Sequence, residues 1–142
     1  MAETRTVIFL DTSYLAALAM PADALHAIAA RWTEVLAGPF VTTEFVLVEM
    51  MNMLSTPPRR SKAHAVLGSI RSNAGIQIVP ASEVWFRRGV ALHERRSDQS
   101  WSLTDCISFE VMREMHVEEA LTFDRHFEQA GFRALLRCTP PA

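Results

Sequence analysis

The stretch Val7-Ile8-Phe9-Leu10-Asp11-Thr12-Ser13 decides how the rest of the chain is read. Four consecutive apolar residues, rich in β-formers, predict a strand buried on both faces, as in a parallel sheet. Asp11-Thr12-Ser13 ends that strand and offers a helix cap, and Tyr14-Leu15-Ala16-Ala17-Leu18 supplies a short helix. The same alternation continues downstream. From Pro21, the spacing of Leu25, Ile28, Ala29, Trp32, Val35 and Leu36 predicts a helix that Gly38-Pro39 stops. Phe40-Val41-Thr42 predicts a second strand. Residues 44–54 predict a helix apolar nearly all round, interrupted by Glu49 and Asn52, and therefore deeply buried or covered by a partner. Ser55-Thr56-Pro57-Pro58 breaks the chain, and Arg59-Arg60-Ser61-Lys62 opens a helix running to about Asn73. Ile76-Gln77-Ile78-Val79 predicts a strand, and Ser82 caps a helix over residues 83–95. Ser102 opens another helix, with Leu103, Ile107, Val111, Met112 and Met115 in spacing. Ala120-Leu121-Thr122-Phe123 predicts a strand ending at Asp124, followed by a short helix at 125–130 and an edge strand at 132–136. Strands and helices alternate from end to end without repeats, which predicts one α/β domain over residues 1–142 with a mostly parallel central sheet.

Composition narrows the function. The chain has 142 residues, 49% hydrophobic and 21% charged, a globular balance. Its net charge of −2 gives no global basic field, so a nucleic-acid contact has to come from a local patch. Lys62 is the only lysine beside thirteen arginines. The two cysteines, Cys106 and Cys138, form no Cys-x-x-Cys, which excludes a thiolate zinc site and fits two reduced, buried thiols. The apolar stretch after Met1-Ala2-Glu3-Thr4-Arg5 is too short for a signal peptide, and no apolar run approaches a membrane span. The expected location is the cytoplasm, with no membrane partner.

Parallel sheets bind ligands outside the carboxyl ends of their strands. Asp11 and Asp124 each follow a strand-like run and are expected on that edge. Asp105 lies in the first turn of the helix opened by Ser102, and helix N-termini share the same edge. Glu49 interrupts an apolar helix, where a lone carboxylate is costly unless it faces a polar site. Four carboxylates from four segments are therefore expected to converge on one pocket. Such a group raises its own pKa values unless a counter-charge is present. Oxygen donors without histidine or cysteine ligand spacing favour Mg²⁺ or Mn²⁺, either of which activates water for attack on a phosphodiester. Each acid also has a local role open to it: Asp11 and Asp124 as helix caps, Ser102-x-x-Asp105 as a capping box, Glu49 as partner of a buried arginine. A receiver-like phosphoacceptor lacks a lysine after a strand, and Ser13 breaks the Asp-x-Asp of one phosphatase class.

Four motifs carry a resemblance that spans nearly the whole chain: Phe9-Leu10-Asp11-Thr12-Ser13, Val48-Glu49-Met50-Met51-Asn52, Trp101-Ser102-Leu103-Thr104-Asp105, and Leu121-Thr122-Phe123-Asp124-Arg125-His126-Phe127. In this order they resemble the PIN-domain ribonucleases, and among them the VapC-like toxins of toxin–antitoxin pairs. The resemblance implies a three-layer α/β/α domain and metal-dependent endoribonuclease activity. It implies Asp11 and Asp105 as principal metal ligands, Glu49 as support through water or as activator of the attacking water, and Asp124 completing the ring. Thr12 is expected to orient Asp11, with Ser102 and Thr104 supporting the ligands from behind. Arg59, Arg60 and Lys62 are the expected RNA phosphate contacts. His126 reads as a structural loop histidine, with a contact to RNA as the alternative. The family also implies a homodimer and a cognate antitoxin, for which the methionine-rich helix at 45–54 offers a surface. The alternative is a catalytically silent module that keeps the fold and binds RNA or protein.

Overall fold

The computed structural model describes residues 6–142; the reading of residues 1–5 lies outside them. The elements run β1 (Ile8–Leu10), α1 (Thr12–Ala19), α2 (His26–Val35), β2 (Phe40–Thr43), α3 (Glu44–Met53), α4 (Pro57–Ser72), β3 (Ile76–Val79), α5 (Glu83–Arg95), α6 (Leu103–Glu114), β4 (Glu119–Leu121), α7 (Arg125–Gln129) and β5 (Arg133–Ala134). A 3-10 turn, Leu135–Arg137, follows. The five strands form one sheet in the order β3-β2-β1-β4-β5, and every pairing is parallel. Right-handed crossovers place α1–α4 on one face and α5–α7 on the other, completing three layers. The chain leaves β1 toward β2 and later returns on the other side as β4. The β1/β4 boundary is therefore the switch point of the sheet, where ligands bind in such folds.

Local chemistry explains the element ends. β1 is buried along its whole length, as a central strand requires. Thr43 accepts from the Val46 amide at 3.1 Å to start α3, and Ser82 accepts from the Trp85 amide at 3.2 Å to start α5. Pro57 and Pro58 sit in the first turn of α4, where a missing N–H costs nothing. Beneath the carboxyl edge, Phe9, Phe109 and Phe127 are fully buried. Phe109 meets Phe127 edge-on at 4.9 Å and Trp101 edge-on at 5.0 Å. Phe9 precedes Asp11, Trp101 precedes Asp105 and Phe127 follows Asp124, so this aromatic chain fixes three acid-bearing segments relative to one another.

Four expectations are corrected. α2 begins at His26, not at Pro21, because Asp23 accepts from the Leu25 amide at 2.8 Å and holds a turn there. β4 ends at Leu121, since Thr122 turns its hydroxyl to the Asp124 amide. The last strand shortens to Arg133–Ala134 as the Leu136 amide reaches back to the Thr122 carbonyl. α3 is not buried all round: Val46, Leu47 and Met50 enter the core, whereas Val48 and Met53 are more than half exposed. Cys106 is buried and Cys138 half-buried, both as free thiols.

The packing of α5 on α6 makes a sharp test. Gly89 lies on α5, and a Cβ there would run into the Ile107 side chain and come within 3.3 Å of its backbone nitrogen. Gly68 on α4 faces open space, and a Cβ there would meet nothing within 4 Å. Helix propensity favours alanine at both by about 1 kcal/mol. We expect Gly68→Ala to stabilise the chain by roughly that amount. Gly89→Ala should destabilise it, because overpacking costs about 1–3 kcal/mol. Chemical denaturation of both variants reads the opposite signs.

Candidate active site

Three carboxyl-bearing segments meet at the β1/β4 switch point. Asp11 leaves the end of β1, its backbone amide bonded to the Leu121 carbonyl of β4 at 3.2 Å. The carboxyl group is buried, and its Oδ2 accepts from the Thr122 hydroxyl at 2.7 Å. Ser13 approaches the same oxygen at 3.5 Å and lies 3.2 Å from the Thr122 hydroxyl. Asp11 occupies the N-cap position of α1 but makes no capping bond with its side chain. Its carboxyl is engaged by Thr122 across the sheet edge instead.

Asp105 is buried in the first turn of α6 and shares a full capping box with Ser102. Ser102 accepts from the Asp105 amide at 3.0 Å, and Asp105 Oδ2 accepts from the Ser102 amide at 3.2 Å. The cap and the pocket role are compatible, because helix N-termini favour an ionised carboxylate. Asp124 caps α7, accepting from the His126 amide at 2.9 Å. The same turn brings the His126 ring into the cluster, with Nδ1 3.1 Å from Asp105 Oδ2 and 3.3 Å from Asp124 Oδ1. Asp105, Asp124 and His126 each offer one ligand atom, and these atoms lie within 4.8 Å of one another.

Burial raises the Asp11 pKa to about 7, and the negative charges of Asp105 and Glu49 push the same way against the Thr122 hydrogen bond. Asp105 is also raised, first by burial, while the bond to His126 works against that and the charge of Asp124 adds to it. Glu49 is half-buried on α3 and lines a cleft of about 650 Å³ with Glu44, Asn52, Met53 and Thr104. Among the described residues, the arginine ion pairs go to other acids and none to Glu49.

The structure thus brings Asp105 and Asp124 together with a histidine and sets Asp11 and Glu49 within electrostatic reach. Thr12 does not hold Asp11 with its hydroxyl, which is buried and has no partner. Thr122 and Ser13 supply the hydroxyl contacts instead, because the parallel pairing of β1 with β4 brings Thr122 across the sheet edge. His126 is placed not in a loop but in the first turn of α7, with its ring on Asp105 and Asp124. Its signal was its place two residues after Asp124, in the first turn of a helix. Arg59, Arg60 and Lys62 are exposed at the start of α4, and among the described residues none of them makes an ion pair with the four acids. Arg60 already donates Nε to the Ser55 carbonyl at 2.6 Å.

Two carboxylates on one imidazole, with the buried Asp11 within electrostatic reach of Asp105, fit a hard divalent cation as the counter-charge. A stability consequence follows without any metal. Unfolded, Asp11 ionises near 3.8; folded, it keeps its proton to about 7. The folded state holds the extra proton between those values, so this group's contribution to stability falls as pH rises through that window. The full effect is on the order of 4 kcal/mol. In EDTA, Asp11→Asn should melt several degrees above the wild type at about pH 8, with the gap closing near pH 4. Thermal melts across that range check the sign.

Comparison with known proteins agrees with this fold. The PIN domain family model matches residues 8–133. The chain is 30% identical over 128 residues to the 23S rRNA-specific endonuclease VapC20 of Mycobacterium tuberculosis, covering 89% of this chain and 95% of that protein. The crystal structure of M. tuberculosis VapC20, described as a sarcin-ricin loop cleaving toxin, superposes with a TM-score of 0.81 at 29% identity, covering 88% of this chain and 95% of the other. FitAcB from Neisseria gonorrhoeae shares the fold with a TM-score of 0.61 at 12% identity, over 89% of this chain and 94% of that one. With the acids seated at the switch point of a five-stranded parallel sheet, and with these matches, the chain belongs to the PIN domain family and is VapC-like.

Proposed function

We propose that this protein is a divalent-metal-dependent endoribonuclease and the toxin of a toxin–antitoxin pair. The observation that carries the proposal is the buried carboxylate cluster, in which burial raises Asp11 to about 7 and the charges of Asp105 and Glu49 add to it. Asp11, Asp105 and Asp124 would hold Mg²⁺ or Mn²⁺, with Glu49 beside them and His126 bridging Asp105 and Asp124. When bound, such an ion supplies Lewis acidity, stabilising charge on the phosphodiester and making water a stronger nucleophile. Thr122 and Ser13 orient the Asp11 carboxyl, and Ser102 does the same for Asp105. Thr104 lines the cleft beside Glu49, whose carboxylate accepts the proton of the attacking water. The cleft receives the RNA strand, and Arg59, Arg60 and Lys62 take phosphates farther along it.

The 23S rRNA specificity of VapC20 makes a ribosomal RNA loop the first substrate to try. The exposed apolar side chains Val48 and Met53 on α3 suit coverage by an antitoxin segment. A homodimer and a cytoplasmic location complete the reading. No helix among the described residues is long and apolar enough to cross a membrane.

Incubation of the purified protein with labelled total RNA and with a sarcin-ricin loop oligonucleotide tests the enzyme. Cuts are expected with Mg²⁺ or Mn²⁺ and not with EDTA. Asp11→Asn and Asp105→Asn should each lower the rate roughly 100-fold or more while keeping the fold. Full activity in both variants would refute the site. Metal binding without cleavage of any RNA would favour the silent module. For the basic cluster, the double variant Arg59→Ala, Lys62→Ala should weaken RNA binding and flatten its dependence on log salt by about 0.7 per lost contact.

A further inference from the structure

Among the described residues, two phenylalanines are strongly exposed, Phe86 and Phe123. Phe86 lies on α5, far in the sequence from any acid of the site. Phe123 stands between Thr122, which holds Asp11, and Asp124 itself. The peptide unit that precedes it is fixed at both its polar groups: the Phe123 amide donates to Ser13 Oγ at 3.1 Å, and the Thr122 carbonyl accepts from the Leu136 amide at 3.1 Å. The residue nevertheless remains 43% exposed. Leaving an aromatic side chain this accessible to water is unfavourable.

Arg137 gives the ring a defined setting. Its guanidinium lies over the Phe123 ring at 5.2 Å from the centroid. It is held there by Glu128 at 2.7 Å, and Nη1 lies 3.5 Å from the Phe123 carbonyl. One side of the ring is thus backed by a cation, and what stays open is the surface away from it. A rigid aromatic with a cationic backing, one residue from a carboxylate cluster suited to phosphodiester chemistry, has the composition of a base-stacking platform. A base can reach it only if it is unstacked from its neighbours, since A-form helices hide their base faces.

We propose that Phe123, backed by Arg137, is a substrate-contacting residue that stacks one unpaired base of an RNA strand next to the phosphate in the acidic site. The proposal deepens the ribonuclease reading and rests on it for the class of ligand. Phe123 thereby selects for a splayed-out nucleotide, in a loop or single strand, at one fixed position relative to the cut.

The test uses the full chain carrying Asp11→Asn, so that bound RNA stays intact, and a fluorescent single-stranded RNA with an abasic site placed at each position in turn. Anisotropy titration should show one position at which losing the base weakens binding by about 5- to 150-fold. In the Phe123→Leu background that position should cease to matter, whereas Phe123→Trp should keep it. A merely structural role for Phe123 would weaken all RNAs alike and leave the abasic profile unchanged, which would overturn the proposal. Equal affinity for a fully paired duplex would overturn it too. Wild-type protein is assayed for cleavage in parallel with Mg²⁺ or Mn²⁺. A ring-dependent abasic profile without cleavage would refute the nuclease reading and sustain the platform, and cleavage without such a profile would do the reverse.

Discussion

Burial of mutually repelling carboxylates at the β1/β4 boundary is the constraint on which the rest of the structure depends. Asp11 sits at the end of a strand with no solvent-exposed residue, so its charge cannot be dispersed into water. Asp105, Asp124 and Glu49 press on the same region from three other segments. Part of the resulting cost is offset by the Thr122 hydrogen bond on Asp11 and by the Ser102 amide and His126 on Asp105, and the proposed cation would offset the rest.

The scaffold is arranged to bear that cost. The aromatic chain from Trp101 through Phe109 to Phe127, with Phe9 beside it, locks the acid-bearing segments from below. Trp101 adds a hydrogen bond to Gln129 at 3.0 Å, tying the start of α6 to α7. Above that layer, hydrogen bonds orient the carboxyl groups: Thr122 and Ser13 on Asp11, the Ser102 capping box on Asp105, the α7 N-terminus on Asp124. Pre-set ligands lose little freedom when an ion arrives, which is what a metal site needs.

Much of this is legible in the sequence, for definite reasons. An apolar run ended by an acid marks a strand and its carboxyl end together, so the residues alone place Asp11 and Asp124 at the sheet edge. Ser102-x-x-Asp105 announces its own capping box. What fails are the inferences from adjacency. Thr12 neighbours Asp11 in the chain, yet Thr122 makes the hydroxyl contact, because strand pairing and not sequence proximity decides who faces whom. His126 reads as a loop residue because its partners, Asp105 above all, come from another element. The apolar excess of α3 is visible, but the division of its faces between core and cleft depends on where α1, α4 and α6 lie. The start of α2 is misplaced by a local competition: the Asp23 side chain holds a turn that the apolar spacing does not reveal.

The central claim, that these carboxylates are assembled for a divalent cation, is tested most directly by the protons released on binding. Calorimetric titration with Mn²⁺ at about pH 6, in buffers of different ionisation enthalpy, counts them. Because Asp11 holds its proton to about 7, binding should release about one proton per ion there and close to none at about pH 9. Asp11→Asn should abolish both the tight binding and the release. Mn²⁺ binding with unchanged affinity in that variant, or without proton release in the wild type, would contradict the account.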